Sequence, residues 1–145
     1  MRLTSFTDYG LRALMRLAGE PDRPFSTEEI AREFQLSRHH LIKIVAKLAQ
    51  AGIVSTQRGV GGGFRLARAP QKILLGEIVR VLEADQVLVE CFAMDGGDCM
   101  LLPGCRLRKK LAGARAAFYR ELDGTSLAEC AYPKPGSSRR LKLAS

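Results

Sequence analysis

Hydrophobic residues recur at helical spacing through the first fifty positions, and polar stretches interrupt them twice. Over residues 4–19 the apolar positions repeat every three or four residues, which predicts a first helix that ends at Gly19. A second helix is predicted over residues 27–34. Its start has the sequence of a capping box, in which the Ser26 hydroxyl accepts from the Glu29 amide and the Glu29 carboxylate reaches back to Ser26.

A third helix is predicted from the residue after Ser37 to about Gln50, beyond a tight turn at 35–36. Its first turn is basic, and Gly52 provides the residue that ends it. Two helices joined by a short turn, the second with a basic start, form a helix-turn-helix pattern. The apolar positions that we expect to face the core are Leu41, Ile44, Val45 and Leu48.

Two short strand-like stretches follow, at 53–56 and 64–66, with the glycine-rich sequence RGVGGG between them at 58–63. This pattern predicts a hairpin with a pliant tip, which is a wing when it lies beside a helix-turn-helix unit. Glycines let the backbone approach a phosphate or a groove closely. The stretch lacks the Gly-Lys-Ser/Thr ending of a nucleotide-phosphate loop, so we interpret it as part of a DNA-binding surface.

The second half of the chain contains two further amphipathic stretches. The spacing of the apolar residues predicts a short helix over residues 73–83 and a long one over residues 106–122. The apolar stripe of the long helix comprises Leu107, Leu111, Ala114, Phe118 and Leu122. We expect it to be buried against a second copy in a C2 homodimer, and packing back on its own chain is the alternative. A last short helical piece is predicted at 125–131.

These elements predict a mainly α fold, a winged helix-turn-helix with a small β-hairpin wing, a cysteine loop and a long dimerisation helix. We divide the chain into a DNA-binding domain at 1–84, a cluster-binding loop at 85–105, a dimerisation helix with a C-terminal piece at 106–132, and a basic, disordered tail at 133–145. No run of about eighteen apolar residues and no secretory signal is present, so we expect a cytoplasmic protein without membrane association.

The net charge of +8 is unevenly distributed along the chain. Residues 1–70 carry eleven Lys and Arg against six Asp and Glu, and no acidic residue lies between Glu33 and Glu77. A surface without carboxylates suits contact with DNA phosphates, although a solvated basic face is the alternative. The predicted contacts to double-stranded DNA are Ser37, Arg38, His39, His40, Lys43, Lys47, Arg58, Gly61 and Arg65.

Three of the four cysteines, Cys91, Cys99 and Cys105, lie within fifteen residues in the pattern C-x7-C-x5-C. In a reducing compartment, grouped cysteines more often bind metal or carry redox chemistry than form disulfides. Thiolates on one short loop are the usual ligands of a soft metal or an iron–sulfur cluster. Cys130 lies outside the group, and we expect a buried, inert thiol there rather than a ligand.

Two other classes of protein compete with a cluster-containing regulator. A zinc site usually has paired C-x2–4-C spacing, which is missing here, and a thiol switch needs two cysteines and leaves the third unexplained. A cysteine-based redox enzyme would need a C-x-x-C pair or a histidine to activate a thiolate. The two histidines, His39 and His40, lie instead in the predicted third helix, where we expect contacts to DNA. We therefore expect a regulator and not an enzyme.

The ordered motifs LTSFTDYGLRAL, LSRHHLIKIVAKLAQAGIV, RGVGGGFRLA, LGEIVRVLE and the cysteine loop with CRLRKKL resemble the winged-helix iron–sulfur transcription regulators. The resemblance covers roughly residues 1–130 and is greatest to the nitric-oxide-sensing repressors of that family. It implies a homodimer that binds a palindromic operator while its cluster is intact. The resemblance also implies that nitric oxide attacks the cluster and so releases repression of detoxification genes.

The resemblance also implies ligands for a 4Fe-4S or 2Fe-2S cluster. The three grouped cysteines match the family's cluster cysteines, and Asp8 matches an aspartate that in some members is supplied by the partner subunit. A favourable charge at a helix N-terminus is the alternative role for Asp8. Arg108 stands where the family's cluster-assembly regulators have a histidine ligand, which argues against that type. Seven residues between Cys91 and Cys99, in place of five in some nitric-oxide sensors, leave the loop shape and the cluster type open. The sequence also leaves open a signal from iron, oxygen or oxidants in place of nitric oxide.

Overall fold

A computed structural model describes residues 2–132, and the tail at 133–145, for which we expect disorder, lies outside the described residues. The fold is mainly α, with one two-stranded hairpin, as the hydrophobic pattern predicts. The helices and strands are α1 (Ser5–Gly19), α2 (Thr27–Phe34), α3 (Arg38–Gln50), β1 (Val54–Gln57), β2 (Gly63–Leu66), α4 (Leu75–Leu82) and α5 (Arg106–Asp123). Short 3-10 turns lie at Pro70–Lys72, Glu90–Phe92 and Leu127–Cys130.

Side-chain caps begin the first three helices. The hydroxyls of Thr4, Ser26 and Ser37 accept from backbone amides three residues onward, at 3.2, 3.0 and 3.4 Å respectively. The predicted capping box of α2 is half right. Ser26 accepts from the Glu29 amide as expected, but the Glu29 carboxylate pairs with the guanidinium of Arg23. The carboxylate prefers this charged donor to a backbone amide because a charge-assisted hydrogen bond is stronger.

Helices α1, α2 and α3 pack around one hydrophobic core, which the hairpin and α4 complete. The predicted core face of α3 is confirmed, since Leu41, Ile44, Val45 and Leu48 are all buried. Helix α4 crosses α1 closely at Gly10, where an added Cβ would lie 2.5 Å from a methyl of Leu82. This close contact fixes α4, and with it the start of the cysteine segment, against the DNA-binding unit. Among residues 2–132, no helix is both long and apolar enough to cross a membrane.

The wing is a hairpin with an additional backbone partner. Strands β1 and β2 pair antiparallel, with Val54 opposite Leu66. Phe25, in the link between α1 and α2, forms a β-bridge to Phe64, with N···O distances of 2.9 and 2.8 Å. Gly63 has φ 138°, and a Cβ there would lie 2.4 Å from the Phe25 carbonyl oxygen, so only glycine fits.

Helix α5 packs against α4 but has no buried residue. Its C-terminal end is held to the domain by Arg80 and Asp123, whose guanidinium and carboxylate form two hydrogen bonds of 2.7 and 2.6 Å. Leu107, at the other end of the apolar stripe, is 64% exposed. The chain therefore covers part of the stripe with α4 and leaves the end at Leu107 exposed.

Candidate DNA-binding surface and cysteine segment

Helix α3 presents a polar outer face because four apolar side chains hold its opposite face in the core. Ser37, Arg38, His39, His40 and Lys43 are all exposed, so the predicted first-turn contacts are free to meet a ligand. The fold orients these donors outward in the manner of a recognition helix, whose N-terminal residues contact base edges in the major groove.

Lys47 lies one turn beyond Lys43 on α3 and has partners within the protein. Its ammonium group is 2.6 Å from a carboxylate oxygen of Asp85 and 5.8 Å from the centre of the Phe6 ring. Asp85 lies three residues after the end of α4, in the segment that leads to the first cysteine. The contact therefore joins the recognition helix to the cysteine segment, which sequence reasoning did not predict.

The tip of the wing extends into solvent. Arg58 and Gly61 are exposed, and Gly59 and Gly61 have φ angles of 94° and 74°, which explains why glycines occupy the turn. Arg65, on β2, is half-buried and donates to the side-chain oxygen of Gln57 at 3.3 Å. The two predicted arginine contacts thus differ, because Arg58 is exposed at the tip and Arg65 lies along the strand pair.

The three grouped cysteines lie in a mostly irregular segment between α4 and α5. Cys91 is in the 3-10 turn Glu90–Phe92, Cys99 is in a loop, and Cys105 caps α5, where its sulfur accepts from the Arg108 amide at 3.4 Å. All three are free thiols of intermediate burial, and so is Cys130, which is less buried than predicted because it lies on the short C-terminal turn rather than in the core.

The donor chemistry of this segment suits a soft metal centre, but its geometry is open. Free, accessible thiols are the groups that iron–sulfur clusters require. Within residues 2–132, no three His, Cys, Asp or Glu side chains are gathered closely enough to hold a metal ion. The segment would have to close to bring the sulfurs of Cys91, Cys99 and Cys105 together.

Arg108 connects the two ends of the cysteine segment. Its Nε donates to the backbone oxygen of Cys91 at 3.2 Å, and its guanidinium lies 5.5 Å from the centre of the Phe92 ring. The sequence showed only that an arginine cannot replace a histidine ligand at this position. The structure shows that it holds the first cysteine near the start of α5.

Asp8 lies in the first turn of α1, where a negative charge interacts favourably with the helix dipole. Its carboxylate forms two hydrogen bonds with Arg12, one turn along the helix, at 3.1 and 2.7 Å. Its side chain remains 47% exposed. The position of Asp8 is therefore consistent with a favourable charge at the start of α1. Its carboxylate is also accessible to a second molecule.

Glu83, at the end of α4, is a residue whose role the sequence did not reveal. One of its carboxylate oxygens accepts from the Thr4 amide and hydroxyl, both at 2.8 Å, and from the Thr7 hydroxyl. Burial raises the pKa of Glu83, but the hydrogen bonds from Thr7 and Thr4, with the charge of Lys47, outweigh it and hold the pKa below its usual value. This carboxylate fastens the start of α1, beside Asp8, to the start of the cysteine segment.

A family model described as Rrf2, an iron-dependent transcriptional regulator, matches residues 3–132. The chain belongs to the Rrf2 family. This Rrf2 chain is 45% identical over 130 residues to the HTH-type transcriptional regulator NsrR of Geobacillus kaustophilus, covering 89% of this chain and 88% of that one. It is 39% identical over 144 residues to the NsrR of Bacillus subtilis, covering 99% of each chain.

A solved structure supports the same assignment. CymR, described as the global cysteine regulator of B. subtilis, superposes with a TM-score of 0.70 at 31% identity, covering 92% of this chain and 99% of that one. The winged-helix fold and the resemblance seen in the motifs are thus confirmed. This member of the Rrf2 family is a DNA-binding transcriptional regulator and not an enzyme.

Proposed function

We propose that this Rrf2-family protein is a homodimeric repressor that binds operator DNA and responds to nitric oxide through an iron–sulfur cluster. Cys91, Cys99 and Cys105 would hold the cluster, and Asp8 of a second copy would complete the ligand set. The observation that carries the proposal is a segment with three free thiols, placed between the winged unit and α5 in a chain 45% identical to a regulator named NsrR. When bound, such a cluster supplies iron that reacts with nitric oxide.

The residues of the chain suggest how the segment and the DNA-binding surface are coupled. Glu83 holds the start of α1, and Asp85 holds Lys47 on α3, so both contacts lie at the beginning of the cysteine segment. A different conformation of this segment would alter the position of α3. Two recognition helices enter successive major grooves only when they are about 34–36 Å apart, so a small shift changes binding to both half-sites.

An alternative function rests on the open arrangement of the cysteines. The free thiols also suit a regulator that responds to oxidants directly, and this alternative predicts release of DNA by oxidant in protein that contains no iron. A cluster that responds to iron or oxygen would instead use the same three cysteines as ligands. It shares the DNA-binding surface and the dimer with the main proposal.

Anaerobic purification of single cysteine-to-serine variants tests the proposal. We expect the wild-type protein to contain iron and sulfide, to bind operator DNA, and to release it on titration with nitric oxide as the visible absorption changes. Replacing Cys91, Cys99 or Cys105 should remove the cluster and weaken operator binding by about 5- to 150-fold, the range of a typical coupling free energy.

Cys130→Ser is the matched control, since Cys130 is also a free thiol of intermediate burial but lies outside the group. It should retain both the cluster and the affinity for DNA. The proposal is wrong if wild-type protein without iron and sulfide binds the operator as tightly as the cluster-containing form. Colourless protein that contains zinc would indicate a zinc-stabilised regulator instead.

A further inference from the structure

One large hydrophobic side chain stands among the polar residues of the recognition helix. Ile42 has 43% of its surface exposed, whereas its neighbour Leu41 is fully buried. Within residues 37–68 of the described chain, the exposed large hydrophobic side chains are Ile42 on α3 and Val60 at the wing tip. Single exposed hydrophobic residues are common on protein surfaces, so the informative feature of Ile42 is its place among the exposed polar residues of the recognition helix.

Helix α3 places Ile42 among the residues that are predicted to contact DNA. It follows Arg38 by four residues and His39 by three, and side chains at these spacings are neighbours on one face of a helix. Lys43 comes next and is exposed as well. A surface that meets the side chains of Arg38 and His39 on this face would therefore also meet Ile42.

The chemistry of isoleucine limits what it can recognise there. Its side chain has no hydrogen-bond donor, acceptor or charge, so it gains nothing from a phosphate or from the polar edges of guanine, cytosine and adenine. Thymine alone presents an apolar group in the major groove, its C5-methyl. We infer that Ile42 is a specificity-determining residue that packs against the C5-methyl of a thymine in each operator half-site.

This inference rests on the proposed DNA-binding function and adds to it a particular base and groove. The contact buries one methyl group of the DNA against the isoleucine. Removing a buried methyl weakens association by about fourfold when the coefficient for transfer of apolar groups from water is applied. The effect is therefore small enough to leave binding intact and large enough to measure.

Deoxyuridine substitution isolates this contact, because it removes only the C5-methyl of thymine and preserves every hydrogen bond of the base pair. The operator is first selected from random duplex DNA with the anaerobic wild-type protein. Each thymine of a half-site is then replaced by deoxyuridine, and dissociation constants are measured at one salt concentration. We expect one thymine per half-site at which the wild-type protein loses about three- to tenfold in affinity.

Three variants identify the residue responsible. Ile42→Ser should bind the thymine and deoxyuridine operators equally at that position, whereas Ile42→Val, which keeps a branched apolar side chain, should retain part of the discrimination. Val60→Ser removes the other exposed hydrophobic residue of this surface. It should keep the full discrimination, because the wing and the recognition helix contact different parts of the DNA.

The outcomes separate this inference from the proposed function. If the wild-type protein selects an operator but tolerates deoxyuridine at every position, or if Ile42→Ser still discriminates, the inference is wrong while the DNA-binding proposal stands. If the wild-type protein selects no sequence at all, both fail. Unchanged thermal melting of the Ile42→Ser variant shows that any loss arises at the contact and not from unfolding.

Discussion

Individual polar residues hold together parts of this fold that are distant in sequence. Arg16, with 1% of its surface exposed, donates to Glu33 at 2.9 and 3.1 Å and lies 4.7 Å from the centre of the Phe25 ring. A hydrophobic pattern cannot predict a buried arginine, because its acceptor lies seventeen positions away and becomes a neighbour only when α1 and α2 pack. Glu83 acts similarly, since its partners lie at the start of α1.

Replacement of Glu83 by alanine should leave three donors of Thr4 and Thr7 without their acceptor. We expect the free energy of unfolding to fall by about 1–3 kcal/mol at neutral pH, as measured by urea denaturation. Glu28→Ala is the control. That glutamate is exposed and forms only a surface pair with Arg32, so its loss should cost less than about 1 kcal/mol.

The contribution of Glu83 also depends on pH. Because its pKa in the folded protein lies below the unfolded value of about 4.3, its stabilisation is present above that pH and is lost as the pH falls through the folded pKa. The difference in stability between the wild-type protein and Glu83→Ala should therefore shrink in acid. A difference that stays constant from pH 7 to pH 3 would contradict this assignment.

At the scale of the elements, two lysines of α3 have different surroundings, although the sequence predicts the same role for both. Lys43 is exposed on the outer face, whereas the ammonium group of Lys47 lies 2.6 Å from the Asp85 carboxylate. Both residues were predicted to contact DNA from their charge and spacing. The structure adds that the first turns of α3 are exposed, while its last turn contacts the cysteine segment through Lys47 and Asp85.

Alanine variants of the two lysines should therefore differ in their dependence on salt. We expect Lys43→Ala to weaken DNA binding and to reduce the slope of log affinity against log salt by about 1, which is the signature of a lost phosphate contact. Lys47→Ala should reduce the slope less, because Asp85 already neutralises its charge. Equal reductions in slope would show that the pair with Asp85 opens when DNA binds.

At the scale of the whole molecule, α5 extends from the domain with an apolar stripe that its own chain leaves partly uncovered. Leu107 is 64% exposed, and no residue of the helix is buried. A second copy that packs along this stripe would cover these side chains. It would also place two recognition helices in one assembly, as a palindromic operator requires.

Replacement of Leu107 by aspartate should therefore impair dimer formation without unfolding the domain. We expect the dissociation constant of the dimer, measured by sedimentation, to rise at least tenfold, because each association would bury an unpaired charge. Val60→Asp is the matched control, since Val60 is also an exposed aliphatic residue but lies on the wing. If both variants remain dimeric, the subunits do not associate through this end of α5.

Much of the architecture follows from local rules that the sequence carries by itself. The helices over 5–50 begin at hydroxyl caps and bury the apolar faces that their spacing specifies, and the glycines at 59–63 form the turn of the wing. These features depend on residues within a few positions of one another. The chain also contains, in order, the motifs that predict its family.

Tertiary structure decided the contacts between residues distant in the chain. Only the packing of α4 on α1 and α3 brings Glu83 to Thr4 and Asp85 to Lys47, and only the path of the segment before α5 brings Arg108 to the Cys91 carbonyl. Local spacing cannot encode these neighbours, since each depends on the position of two elements at once. For the same reason the sequence predicts three clustered cysteines, while folding determines how far apart their sulfurs lie.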